Sequence, residues 1–151
     1  MMPAYKLFIQ CNKKQYLGAL VAQYSFQKNS PNGEFDVEII MAEDYPILQD
    51  NEGKPHLREG RLVIWRNDLQ SFTPTRFLPP QLMNYQGRAI VIDPDVFALT
   101  DCMELFKMDM QGKAIWSRKV YDQKRGDYWA TSVMLLDCAK LKHWQWEKNV
   151  Q

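Results

Sequence analysis

An apolar run, Ala89-Ile90-Val91-Ile92, ends in Asp93-Pro94-Asp95, and here the residue types and their spacing most directly offer chemistry. Side chains two apart on an extended segment point the same way. Two carboxylates so placed supply hard anionic oxygens to a divalent cation such as Mg²⁺ or Mn²⁺, which can bridge in turn to phosphates. Pro94 fixes one backbone angle between the acids and offers no amide donor, so the bend is stiff. The same tripeptide is also ordinary turn chemistry, in which Asp93 and Asp95 cap the segment from Val96 to Thr100. Both readings stand on the residues alone.

A second group of polar residues accompanies the pair. Arg76, in Phe72-Thr-Pro-Thr-Arg76-Phe77, carries a permanent, planar, fork-shaped cation suited to a phosphate or carboxylate partner. Its alternative is a structural ion pair. Gln10, Asn12 and Gln15 lie where a first strand gives way to a helix, as ligand contacts or as a polar loop and cap. The only histidines, His56 and His143, fall in a polar excursion and in a Lys/Trp-rich terminal segment, and read as surface residues. Trp129, Trp144 and Trp146 can stack on a sugar, but aromatics at such spacing more often pack on a core. Arg118, Lys119, Lys124 and Arg125 are too sparse for a nucleic-acid surface. No Gly-x-Gly-x-x-Gly or Walker loop is present.

The elements that must position these residues alternate. Tyr5 to Cys11 reads as a buried strand, Gln15 to Lys28 as a helix with apolar residues at Leu17, Leu20, Val21 and Tyr24, and Phe35 to Met41 as a second strand. Such a unit predicts a parallel, right-handed crossover. Ala42 to Gly60, with Pro46, Gly53 and Pro55, reads as an exposed excursion, and Arg61 to Trp65 as a short strand. Phe72 to Tyr85 is predicted helical, capped by Thr73 and bent or restarted at Pro79-Pro80. Arg88 to Ile92 is predicted as a central strand. A helix capped by Thr100 or Asp101 follows, then strands at Lys113 to Ser117 and Ser132 to Leu136, and a helix from Ala139 to Val150.

Composition narrows the function classes. The 151 residues are 46% hydrophobic and 25% charged, which predicts one globular domain, 1–151. Nineteen Lys and Arg against eighteen Asp and Glu give a net charge of +1, so no broad field collects nucleic acid or anionic membrane. Any anionic ligand must therefore meet a local site. Cys11, Cys102 and Cys138 lack metal-type spacing and are odd in number, which predicts reduced thiols in a cytoplasmic protein. No stretch is long and apolar enough for a transmembrane span, and the start lacks a signal-peptide pattern.

In order and spacing, Phe72-Thr-Pro-Thr-Arg76-Phe77-Leu-Pro-Pro, then Leu82 through the strand to Asp93-Pro-Asp95, then Glu104-Leu-Phe106, resemble the glycogenin-like and lipopolysaccharide-galactosyltransferase-like group of sugar-nucleotide glycosyltransferases. Tyr5 to Lys28 and Ser132-Val-Met-Leu-Leu-Asp137 with Trp144 extend the resemblance over nearly the whole chain. It implies an α/β, three-layer α/β/α Rossmann-like glycosyltransferase A fold with a mostly parallel mixed sheet. It further implies a hexose transferred from a nucleoside-diphosphate sugar to an acceptor hydroxyl of a glycan, lipid or protein, with Mn²⁺ or Mg²⁺ held by Asp93 and Asp95. Gln10, Asn12, Gln15, Arg76 and Ser132 would contact the donor. Ala130 stands where the group carries Asn, and its distal Asp-Gln segment and metal-binding histidine have no counterpart, so a C-terminally shortened form is expected. One rival is a non-catalytic nucleotide-sugar-binding or interaction module. Another is a haloacid-dehalogenase-type phosphatase, which shares a strand ending Asp-x-Asp but places it early and needs a later Lys and acidic pair.

Overall fold

The computed structural model describes residues 4–58, 61–64, 66 and 68–149. The predicted strand–helix–strand opening forms: β1 (Tyr5–Cys11), a 3₁₀ turn (Lys13–Gln15), α1 (Tyr16–Asn29) and β2 (Asp36–Met41), with β1 and β2 parallel. The inward face of α1 is Ala19, Ala22 and Phe26. Leu17, Leu20, Val21 and Tyr24, whose spacing marks the helix, lie on its exposed side, with Leu17 75% exposed. Small inward residues let the helix sit close to its neighbours. A Cβ on Gly18 would lie 3.0 Å from the carbonyl oxygen of Pro94, so α1 runs directly against the loop that carries the two aspartates.

The stretch predicted as an exposed excursion is partly core. Ala42 opens a 3₁₀ turn (Ala42–Asp44) and Leu48 sits in α2 (Pro46–Gln49), and both are buried. Isolated apolar residues among polar ones give no periodic signal. β3 (Pro55–Arg58) and β4 (Arg61–Ile64) form a separate antiparallel hairpin that includes His56. Trp65, at the end of the strand predicted there, lies outside the described residues. The single helix predicted over Phe72 to Tyr85 is a 3₁₀ turn (Thr73–Phe77) followed by α3 (Pro79–Leu82). The restart falls at the prolines, which lack the amide a continuous helix needs. Thr73 does not cap; Phe72 holds that position without a side-chain bond.

β5 (Arg88–Ile92) leads to α4 (Met103–Phe106), whose first amide donates to Asp101 Oδ1 at 2.9 Å. β6 (Ile115–Val120) and β7 (Tyr128–Asp137) follow. In place of one helix from Ala139 there is a 3₁₀ turn (Cys138–Lys140), a loop and a short α5 (Trp146–Asn149); Val150 lies outside the described residues. Tertiary burial overrides helix propensity here, because Trp146 is drawn into the core and its indole N–H donates to the Pro74 carbonyl at 2.9 Å.

The five-stranded sheet runs β2-β1-β5-β7-β6, parallel from β2 to β5 and antiparallel from β5 to β6. One face packs Phe8, Ala89, Val91 and Leu136 against Leu48, Leu78, Met83 and Trp146. The other packs Leu7, Ile9, Ile90 and Ile92 against α1 and α4. The chain is thus a three-layer α/β/α fold with β5 at its centre. All three cysteines are free and buried. Gly87, immediately before β5, has φ +67°, and a Cβ there would lie 2.5 Å from the Ala4 carbonyl oxygen. Gly87→Ala should therefore lower unfolding free energy by about 3 kcal/mol, read by urea denaturation, through positive-φ strain plus a backbone clash.

Candidate functional site

Because β1 and β5 run parallel, their carboxyl ends meet at one edge of the sheet, where open α/β sheets bind ligands. Asp93 emerges there, held through its amide, which donates to the Ser132 carbonyl on β7 at 3.0 Å. Its Oδ1 accepts Gln10 Nε2 at 2.6 Å from β1 and faces Arg76 Nη2 at 3.4 Å. The Val96 amide closes the turn onto the Asp93 carbonyl at 3.2 Å. No helix forms over Val96 to Thr100. The Asp93 side chain therefore serves Gln10 and Arg76, and the capping alternative is not the arrangement found.

Arg76 is braced on three sides. Its Nε donates to the Thr73 carbonyl at 3.1 Å, Nη1 donates to Thr131 Oγ1, and Nη2 reaches Asp93. Thr75 Oγ1 donates to the Phe72 carbonyl at 2.6 Å and lies 3.3 Å from Gln10 Oε1. A connected set, Thr75–Gln10–Asp93–Arg76–Thr131, thus fixes the strand-end carboxylate. The register of β6 on β7 jumps from Ser117 opposite Met134 to Arg118 opposite Ala130. Thr131, Ser132 and Val133 are left without β6 partners. Such an irregularity re-aims side chains next to a site, and here it turns Thr131 toward Arg76.

Burial pushes the Asp93 carboxyl above the ordinary carboxylate range; the Arg76 charge and the Gln10 hydrogen bond pull it back, and Asp95 adds to the rise. An acid raised on folding binds its proton more tightly in the native state. Its contribution to stability is present at low pH and is lost as pH rises from the ordinary value through the raised one. Asp93→Asn should remove this slope. The stability of the wild type relative to that variant should fall on going from about pH 4 upward, read by denaturant unfolding of both proteins at each pH.

Asp95 is exposed, one residue beyond the proline turn. A cation would suit the pair, since Gln10 and Arg76 both meet Asp93 through Oδ1 and Asp95 faces solvent. Among the described residues no third His, Cys, Asp or Glu joins them. His143 is exposed beside Trp144.

The other expected contacts separate into two kinds. Gln10 is fully buried with both ends of its amide engaged, so it positions Asp93. Ser132 sits within β7, where its carbonyl holds Asp93. Asn12, 1% exposed, donates through Nδ2 to the Asp68 carbonyl and Ser71 Oγ, each at 3.0 Å. Among the described residues three buried side-chain oxygens lack a hydrogen-bond partner: Asn12 Oδ1, Gln15 Oε1 and Glu43 Oε2. Sequence reasoning missed Ser71, Thr75, Thr131 and Glu43. Glu43 carried a readable signal, since it is the first acid after β2 ends, as Asp93 is after β5.

The sequence matches no protein-family model and no curated protein. Solved structures do resemble it. The galactosyltransferase LgtC in complex with donor and acceptor sugar analogues superposes with TM-score 0.66 at 15% identity, over 95% of this chain and 61% of that one. The glycosyltransferase GlyE of Streptococcus pneumoniae matches with TM-score 0.62 at 14% identity, over 99% and 38%. Mouse xyloside xylosyltransferase 1 matches with TM-score 0.57 at 14% identity, over 97% and 72%. This chain spans less than two thirds of LgtC and GlyE. At these identities the likeness is one of backbone architecture, and it establishes that the chain has the glycosyltransferase A fold.

Proposed function

We propose that this domain binds a nucleoside-diphosphate sugar at the carboxyl ends of β1 and β5 and transfers its hexose to an acceptor hydroxyl with the aid of Mn²⁺ or Mg²⁺. The observation that carries the proposal is the convergence of Gln10, Arg76 and Asp93, from three distant segments, on one strand end of a glycosyltransferase A fold. Asp93 and Asp95 would hold the cation, which when bound supplies charge stabilisation for the departing diphosphate. Arg76 favours the ionised form of Asp93 and aims it, and Gln10 and Thr131 brace the two. Asn12 and Gln15, beside the end of β1, would meet the nucleoside. LgtC's capture with donor and acceptor sugar analogues supports the same pair of partners here, the acceptor being a glycan, lipid or protein. The buried free thiols fit a reducing, cytoplasmic setting, and no described helix is long and apolar enough to cross a membrane.

The absence of a third protein carboxylate or imidazole among the described residues favours one alternative, a donor-binding module with little or no transfer. A panel of nucleotide sugars incubated with the protein and Mn²⁺, assayed for released nucleoside diphosphate, separates the two. Release that stops in chelator supports transfer or hydrolysis at this site. Mn²⁺-dependent binding without release supports the module. Release that persists in chelator contradicts the metal-assisted reading.

A further inference from the structure

The outer face of α1 is as apolar as its inner one. Leu17, Leu20, Val21 and Tyr24 fall at helical spacing, so they form one stripe along the helix, and all four are exposed. On the opposite side Ala19, Ala22 and Phe26 are buried against the sheet. A helix that is apolar all round is one surrounded by apolar matter. The sheet supplies that on the inner side, and the outer stripe stands open.

The loop after Asp95 widens the stripe. It follows α1 from Gly18, where a Cβ would meet the Pro94 carbonyl oxygen, to Asn29. Ala98 is tied to the helix at both its polar atoms: its amide donates to Ser25 Oγ at 2.9 Å, and its carbonyl accepts Asn29 Nδ2 at 3.1 Å. On either side of this tie Phe97 and Leu99 stay exposed, Leu99 to 94%. A large apolar side chain displayed by a loop so anchored is a wedge set beside the helix, and together they make a continuous apolar platform of the kind that marks an interaction surface.

Charge decides what the platform meets. The first acidic residue of the chain is Glu34, and residues 1–33 carry Lys6, Lys13, Lys14 and Lys28. Lys6 pairs with Glu38 on β2. The other three are exposed at the two ends of the helix, with Lys28 above the Tyr24 ring at 6.0 Å. The neighbouring acids Glu43 and Asp101 accept the backbone amides of Lys13 and Met103. A second copy docked face to face would set lysine against lysine. An anionic lipid surface suits both features at once, because lysines at the helix ends reach the headgroups while Leu, Val, Phe and Tyr enter the boundary below them. We propose that the outer face of α1, with Phe97 and Leu99, docks the protein on an anionic lipid bilayer. The loop that carries Asp93 and Asp95 runs into this platform, so docking sets the strand-end site beside the bilayer, where a lipid-borne acceptor would stand. The docking itself does not depend on the donor reading, and its test uses no nucleotide.

Co-sedimentation tests this with the unaltered protein and vesicles of phosphatidylcholine, alone or mixed with phosphatidylglycerol. Binding about tenfold or more tighter to the mixed vesicles, weakening as salt is raised, is the expected result. Leu17→Gln and Leu99→Gln together should lower it by about tenfold or more. Both side chains stand mostly in water, so the pair leaves the fold intact, read by circular dichroism. Lys13→Gln with Lys28→Gln should remove most of the preference for the mixed vesicles. Because the native cysteines are buried, Leu99→Cys takes an environment-sensitive fluorophore at that position alone, and its emission should shift to the blue when mixed vesicles are added. Absence of binding to either vesicle overturns the proposal. Binding that the leucine pair leaves unchanged, or a probe at position 99 that stays in water, places the contact elsewhere and overturns it. Equal binding to the two compositions overturns the anionic assignment. Self-association that the leucine pair abolishes, without vesicle binding, gives the face to a second copy instead.

Discussion

Asp95→Asn should remove the Mn²⁺ dependence of nucleoside diphosphate binding and lower affinity in Mn²⁺ by at least about 100-fold, while the protein stays folded. Loss of groups that merely orient a metal ligand costs roughly 10- to 100-fold, and Asp95 would be one of two protein ligands among the described residues. The side chain is exposed and no described hydrogen bond or salt bridge involves it, so stability should change by less than about 0.5 kcal/mol. In chelator the variant should bind the diphosphate slightly better than the wild type, because one repelling charge is gone. Titration of both proteins in Mn²⁺ and in chelator, beside urea unfolding, reads all three outcomes. A variant that keeps full Mn²⁺ dependence contradicts the assignment of Asp95 as a ligand.

Arg76 substitution should affect folding and binding together. Arg76 and Asp93 side chains are 12% and 23% exposed, so Arg76→Met leaves a mostly buried carboxylate with Gln10 as its remaining described partner. Removing one member of such a pair costs about 3 kcal/mol or more when burial is complete, and about 2 kcal/mol with this residual exposure. The Asp93 carboxyl should also rise further, since the largest lowering influence on it is gone. Arg76→Lys separates the roles. Lysine keeps the charge, but one ammonium cannot reproduce the planar fork that meets the Thr73 carbonyl, Thr131 and Asp93 at once. Stability should recover most of the loss, whereas diphosphate affinity in Mn²⁺ should stay lower by about 1 to 3 kcal/mol. A Lys variant with wild-type affinity would reduce Arg76 to a structural ion pair.

The scaffold of this site was legible where local pattern and tertiary demand agree. Ala89 to Ile92 is buried on both faces as a central strand must be, so a continuous apolar run marked it without ambiguity. The same run delivered Asp93 to the strand end, and Arg76 lies beside it, in line with the family resemblance carried by Phe72 to Pro80. What stayed hidden depends on contacts between segments far apart in the chain. Gln10 lies 83 residues from Asp93, and nothing local says that its amide is spent on that carboxylate. Thr131 meets Arg76 from the stretch of β7 that β6 leaves unpaired, and a register jump has no signature in composition. α1 misleads in a different way: apart from Phe26 its large apolar residues face outward while alanines and Gly18 make the close contact, so size and burial point largely to opposite sides. The last segment fails for the reverse reason, since a good helical pattern is broken to bury Trp146.

The central claim is a metal-bridged diphosphate site at the ends of β1 and β5, and one titration tests it most directly. Nucleoside diphosphates would be added to the unaltered protein with Mn²⁺ in one series and with chelator in the other. Asp93 and Asp95 repel the diphosphate unless a cation lies between them, so at least one nucleoside diphosphate should bind about tenfold or more tightly in Mn²⁺. Equal affinity in the two series, or no binding of any nucleoside diphosphate in either, contradicts the account.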